Sequence, residues 1–156
     1  MDDDKFRPEN TFHNFKWLSS LDIKNTMERY ENKYKDFKYL GSFPIDFADI
    51  PFYEINNINF DELIKNGKNK LALFFNSGST WTSLFIDFNN EICYYFDSIC
   101  AKPDSRISNF IDKITKFMKD TLNIKPFSIK YNKTEHNNCS YCAYCPLIFI
   151  IKLLEN

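Results

Sequence analysis

Residues 70–98 read KLALFFNSGSTWTSLFIDFNNEICYYFDS, and no other stretch limits the possible folds as much. Three runs dense in aromatic and β-branched residues follow one another with very little chain between them. Such side chains fit a pleated, half-buried surface. The expectation is a buried strand at KLALFFN, a second at TWTSLFIDF and a third at EICYYFDS. Asn89–Asn90 supplies a tight turn that makes the last two a hairpin.

The flanking segments carry a different period. Ser19 followed by Asp22 fits a capping box, with Leu18 as a possible staple. Ile23, Met27, Tyr30 and Tyr34 then recur at helical spacing, which predicts a helix over residues 20–34. In YLGSFPIDFADIPFYEI, prolines and a glycine break the chain into extended pieces and turns. NFDELIKNG reads as a short helix stopped by Gly67. KPDSRISNFIDKITKFMKD is the clearest helix, with Asp104 or Ser105 as cap. Its apolar stripe is Ile107, Phe110, Ile111, Ile114, Phe117 and Met118. PFSIKYN is a short strand. CAYCPLIFIIKLLEN is a largely buried helix, and Pro146, tolerated only in a first turn, sets its start near Cys142. The expected organisation is a loose arm at 1–16 and a single α+β domain at 17–156, a sheet packed between helices.

Composition narrows the functional classes. Of the 156 residues 44% are hydrophobic and 18% aromatic, enough for a real core and too many for global disorder. The net charge is −1 and no long run of one sign occurs, so no basic face for nucleic acid is expected. The apolar run LIFIIKLL is too short to span a bilayer and carries Lys152. The start MDDDKF lacks a signal peptide's apolar segment. The expectation is a soluble, cytoplasmic protein. Five cysteines is an odd number, and Cys139, Cys142 and Cys145 are crowded. That argues against a secreted disulfide scaffold and for thiols that are reactive, metal-binding or merely buried.

Three constellations bear on chemistry. At a helix start Cys142 would sit at the positive end of the dipole, which favours the nucleophilic thiolate, although cysteines are also among the most buried residues. Asp97 ends a strand, where a carboxylate either orients an imidazole or simply meets solvent. His136, Cys139, Cys142 and Cys145 follow each other at every third residue. Three thiolates and an imidazole can fill a tetrahedral zinc site, but zinc ligands usually come as two short couples separated by a loop.

The ordered set of pieces resembles the adenain-like cysteine proteases, which include the SUMO- and ubiquitin-like-protein-specific proteases, and most of all the versions carried by large DNA viruses. The pieces are WLSSLDI, FPIDFADI, KLALFFN, WTSLFIDF, YYFDS, KPDSRISNFIDKI and KYNKTEHNN…C…FIIKLL, across about residues 17–154. The resemblance implies a papain-like fold: a central mixed sheet packed by helices, with the nucleophile at the start of a buried helix. It implies the order His, Asp, Cys. The Asp maps to Asp97 and the nucleophile to Cys142, with Cys139 competing. The oxyanion residue maps to Asn137 or Asn138, and Trp81 to the substrate-binding side. The general base maps to the residue before the tryptophan, which here is Thr80. Ala143 stands where the family has glycine. A threonine hydroxyl cannot take up a proton near neutral pH, and loss of general acid–base help costs on the order of 10²–10⁴ in rate. The implied function is a catalytically impaired homologue that keeps a groove for a protein or peptide, without a cofactor, in host cytoplasm or virion. The alternatives are an active peptidase for Gly-Gly-type sites that recruits a displaced base, His136 or His13, and a metal-binding module on His136, Cys139, Cys142 and Cys145.

Overall fold

A computed structural model describes residues 19–51, 53–78, 80–97, 100–121, 128–132 and 144–155. Their centre is a mixed five-stranded sheet in the order β1-β2-β3-β4-β5. β1 (Phe37–Pro44) runs parallel to β2 (Lys70–Asn76). β2, β3 (Trp81–Asp87) and β4 (Ile92–Asp97) form the antiparallel centre. β5 (Ser128–Tyr131) lies parallel to β4 at the other edge. The α+β fold with a mixed sheet is the one expected.

Among the described residues four α-helices flank the sheet: α1 (Ser20–Lys33), α2 (Phe60–Lys65), α3 (Ser105–Thr121) and α4 (Tyr144–Glu155). The capping box of α1 forms as its sequence demands. The Asp22 amide donates to Ser19 Oγ at 3.3 Å and the Ser19 amide donates to Asp22 Oδ2 at 2.9 Å. Asn59 caps α2 by accepting from the Glu62 amide at 3.0 Å, and Gly67 follows the helix with φ +83°. Asp104 begins α3, its carbonyl accepting from the Ser108 amide at 3.0 Å. Leu18 lies outside the described residues. No helix among those described is long and apolar enough to cross a membrane.

The sheet buries both faces, and strand alternation assigns each side chain to one of them. Ala72, Phe74, Trp81 and Phe85 face a cluster with Ile23 and Met27 of α1 and Leu147 and Ile150 of α4. Leu71, Leu73, Phe75, Leu84, Ile86, Cys93 and Tyr95 face a second cluster with Ile107, Phe110, Ile111 and Ile114 of α3. A sheet covered on both sides explains why KLALFFN is an unbroken apolar run.

Two local expectations need correction. The β3–β4 connection is not a two-residue Asn–Asn turn. It spans residues 88–91, with the Phe88 ring buried beside Phe60 and Glu91 in the left-handed conformation (φ 57°). The segment around Gly41 is not broken into pieces but forms the whole of β1, with an irregularity between Tyr39 and Gly41. Gly41 absorbs it at φ +137°, where a Cβ would come within 2.8 Å of the Phe43 ring. Glycine in a strand marks a bulge here and not a strand end.

Candidate active site

The β2–β3 connection sets one wall. There the Ser77 amide donates to the Thr80 carbonyl at 3.0 Å. The hydroxyls of Ser77 and Thr80 meet at 2.9 Å, and the Thr80 amide donates to Ser77 Oγ at 3.2 Å. Asn76 Oδ1 accepts from the Gly78 amide at 2.8 Å. These bonds hold Thr80 at the mouth of β3.

β4 supplies the opposite wall. Thr82 and Asp97 are register partners. Thr82 therefore points with Leu84 and Ile86, and Asp97 with Cys93 and Tyr95, to the α3 side of the sheet. Thr80, Thr82, Tyr95 and Asp97 line one cavity of about 230 Å³, closed by Ile45, Phe75 and Ile107 and rimmed by Lys102 and Asp104. Asp97 is 8% exposed. Thr82 is 7% exposed and its Oγ1 has no hydrogen-bond partner. Burial pushes the Tyr95 phenol up to about 12, so it is protonated at neutral pH. Its interaction with the neighbouring Thr82 hydroxyl offsets part of that rise. At the rim, Arg106 Nε and Nη2 donate to the two carboxylate oxygens of Asp104 at 2.9 and 3.1 Å, which holds the Asp104 carboxyl below its ordinary range.

The end of β4 is fixed by a residue the sequence did not single out. The Asn132 side-chain carbonyl accepts from the Asp97 amide at 2.9 Å. Its amide nitrogen donates to the Asp97 carbonyl at 2.7 Å and to Cys100 Sγ at 3.3 Å. One side chain thus satisfies both backbone groups of Asp97 where the β4–β5 ladder stops, as a further strand residue would. The Cys100 amide returns to the Asp97 carbonyl at 2.9 Å, with Cys100 at φ 59°. The available signal was an amide residue directly after a strand in KYNKTEHNN.

Of the residues expected at the site, Thr80 and Asp97 come together. Trp81 lies on the opposite face, 8% exposed, in the cluster with α1 and α4. Cys142, Cys139, Asn137, Asn138, His136, His13 and Ala143 lie outside the described residues. The helix after Cys142 is described from Tyr144. Its first turn is tied to the sheet by Ser83 Oγ, which donates to the Pro146 carbonyl at 3.1 Å. The crowded thiols depart from expectation at Cys145, which is disulfide-bonded. Sequence spacing does not reveal which thiols reach bonding geometry. A disulfide removes the Cys145 thiolate from the four-ligand set, so that metal site is not available in this state. Among the described residues no group of three or more His, Cys, Asp or Glu is placed to hold a metal ion. Cys93 is a buried thiol pushed up to about 12 by desolvation, an inert core residue.

No protein-family model matches the chain. Over 157 aligned residues it is 36% identical to a protein of Acanthamoeba polyphaga mimivirus provisionally named a thiol protease. The match covers 96% of the chain and 52% of that protein, so the chain spans about half the length of this relative. Among solved structures, an ASFV protease superposes with TM-score 0.69 at 20% identity, covering 89% of this chain and 58% of that one. The SUMO protease Ulp1 superposes with TM-score 0.66 at 16% identity, covering 94% and 70%. The Ulp1 protease domain in complex with Smt3, the yeast ortholog of SUMO, gives 0.63 at 15% identity, covering 94% and 69%. These structural likenesses establish the fold.

Proposed function

We propose that the chain is a catalytically impaired member of the adenain/Ulp1-like family of viral cysteine proteases that still binds an extended protein or peptide tail. Thr80 occupies the seat of the general base. Asp97 is the carboxylate that would orient an imidazole there, and Cys142, just before α4, is the nucleophile equivalent. Asn137 is the oxyanion candidate. The partner is a protein with a Gly-Gly-type tail, met in host cytoplasm or virion.

The observation that carries the reading is the shared cavity of Thr80 and Asp97. A proton acceptor for the thiol would have to reach this cavity, and no described residue lining it is a histidine. The Thr80 hydroxyl, bonded to Ser77, has no useful basicity at neutral pH. An unassisted cysteine is only a few per cent thiolate at pH 7.

A peptide ending in Gly-Gly and carrying a thiol-reactive trap tests this. The expected result is binding with slow labelling of Cys142 and no turnover of the matching substrate. Thr80→His should accelerate labelling, by up to on the order of 10²–10⁴-fold. Rapid stoichiometric labelling of the unaltered protein would overturn the proposal. Turnover lost in both Cys142→Ala and His136→Ala would establish the displaced base instead.

A further inference from the structure

We propose that the groove between α1 and the outer side of β1 is the seat of this chain's own residues 14–18, Asn-Phe-Lys-Trp-Leu, held there in extended form. The groove shares no lining residue with the Thr80–Asp97 cavity, so the inference is independent of the proposed function.

Two elements build the groove. α1 contributes Leu21, Lys24 and Glu28, β1 contributes Tyr39 and Leu40, and Glu54 joins them from the short helical turn at Glu54–Asn57. The volume is about 540 Å³, within the roughly 300–1,000 Å³ of sites that enclose a ligand. β1 is an edge strand paired with β2 alone, and its irregularity leaves Leu40 without a partner in β2. Leu21 is 63% exposed. A leucine on each wall beside an open sheet edge suits an apolar segment in extended form.

The place where the chain enters selects the segment. Ser20 and Leu21 line the groove, and Ser19 caps α1. Residues 1–18 lie outside the described residues and join them at that point. The groove follows α1 from Ser20 to Glu31, eleven helical steps or about 16 Å. About five extended residues cover that length, which are residues 14–18. Alternation puts Lys16 and Leu18 on one side of the segment and Phe15 and Trp17 on the other. Lys16 and Leu18 then meet Glu28 and Leu21 of α1, while Phe15 and Trp17 meet Leu40 and Tyr39 of β1. The lengths agree. Lys16 is three extended residues from Ser19, about 10 Å, and Glu28 is nine helical residues from it, about 14 Å, a difference that a lysine side chain spans.

Charge agrees as well. Glu31 already accepts from the Tyr39 amide at 2.8 Å and lies 3.7 Å from Lys38 Nζ. Glu28 and Glu54 then outweigh Lys24, so the groove favours one added cation. Burial pushes the Tyr39 phenol up, and the charges of Glu28 and Glu31 add to the rise. Both carboxylates therefore act across the groove on the β1 wall.

The test is NMR of the isotope-labelled full chain, whose two tryptophans give two indole signals. Trp17→Phe assigns one of them. The expected result is a nuclear Overhauser contact between the Trp17 indole and the Leu40 methyls, with a strength independent of protein concentration. Lys16→Glu and Glu28→Lys should each lower the docked-to-free ratio about three-fold, and the double variant should restore it. Glu28 is exposed on α1, so its replacement leaves the core intact. Absence of the Trp17–Leu40 contact overturns the inference. So does a contact seen only at concentrations where the chain dimerises, which gives the groove to the segment of a second copy. A charge swap without rescue overturns it too, because the register rests on the pairing of Lys16 with Glu28.

Discussion

The β3–β4 hairpin carries a buried aspartate at each end, and the two have nearly the same exposure: Asp87 at 7% and Asp97 at 8%. Their surroundings differ. Asp87 closes the connection next to it, accepting from the Asn90 amide at 3.1 Å and from Asn90 Nδ2 at 2.7 Å. Both of its carboxylate oxygens are engaged three residues away. At Asp97 it is the backbone that is clamped, by Asn132, while the side chain lines the cavity with Thr80, Thr82 and Tyr95. Burial therefore does not distinguish a carboxylate closed within its own turn from one that lines a cavity. What separates them is where the partners come from: Asp87 finds its own within the turn, and Asp97 is placed by chain from other parts of the sequence.

The largest expected effect tests whether both ends rest on one core. Cys93 lies toward the Asp87 end and Tyr95 toward the Asp97 end, and burial raises both to about 12 from ordinary values of 9.0 and 10.0. Each holds its proton more tightly folded than unfolded. Stability is thus complete below about pH 9 and is lost as pH rises toward 12. The share of Cys93 is roughly 4 kcal/mol at most. Urea melts at about pH 8 and about pH 11 should show the loss, and Cys93→Ala should reduce it while leaving the part due to Tyr95.

A middle-sized effect belongs to the open end. Asn132→Ala removes both bonds to the Asp97 backbone and should cost about 1–3 kcal/mol. Hydrogen exchange should quicken at the Asp97 amide and stay unchanged at Asn90. Equal acceleration at the two sites would mean that the hairpin ends are not independent. The smallest effect belongs to the turn. Asp87→Ala should cost about 1 kcal/mol in a denaturant melt and leave hydrogen exchange at the Asp97 amide unchanged. Faster exchange there would collapse the distinction between the two aspartates.

Much of the frame was legible in the chain. KLALFFN is β2 residue for residue, since its burial on two faces needs nothing but apolar side chains. The Ser19–Asp22 box and the Ile107–Met118 stripe carry their instructions within a few residues of where they act. β1 was less legible, because Gly41 and Pro44 read as breakers when one is a bulge and the other ends the strand at the sheet edge. The β3–β4 connection is centred on Asn89 and Asn90 as expected but takes in residues 88–91, one more on each side.

The same division holds for the site. Thr80, Trp81 and Asp97 stood out from strand ends and from the family resemblance. Thr82, Tyr95 and Asn132 did not, because nothing adjacent to them hints at their role. Local order is written in periodicity, caps and composition, which act over a turn or a strand, so the sequence alone determines the elements and their buried faces. The cavity depends on β3–β4 register and on an amide that reaches 35 residues back. Such groups meet only when the whole sheet closes, so the packed structure alone decides which polar atoms share a space and which of them is left without a partner.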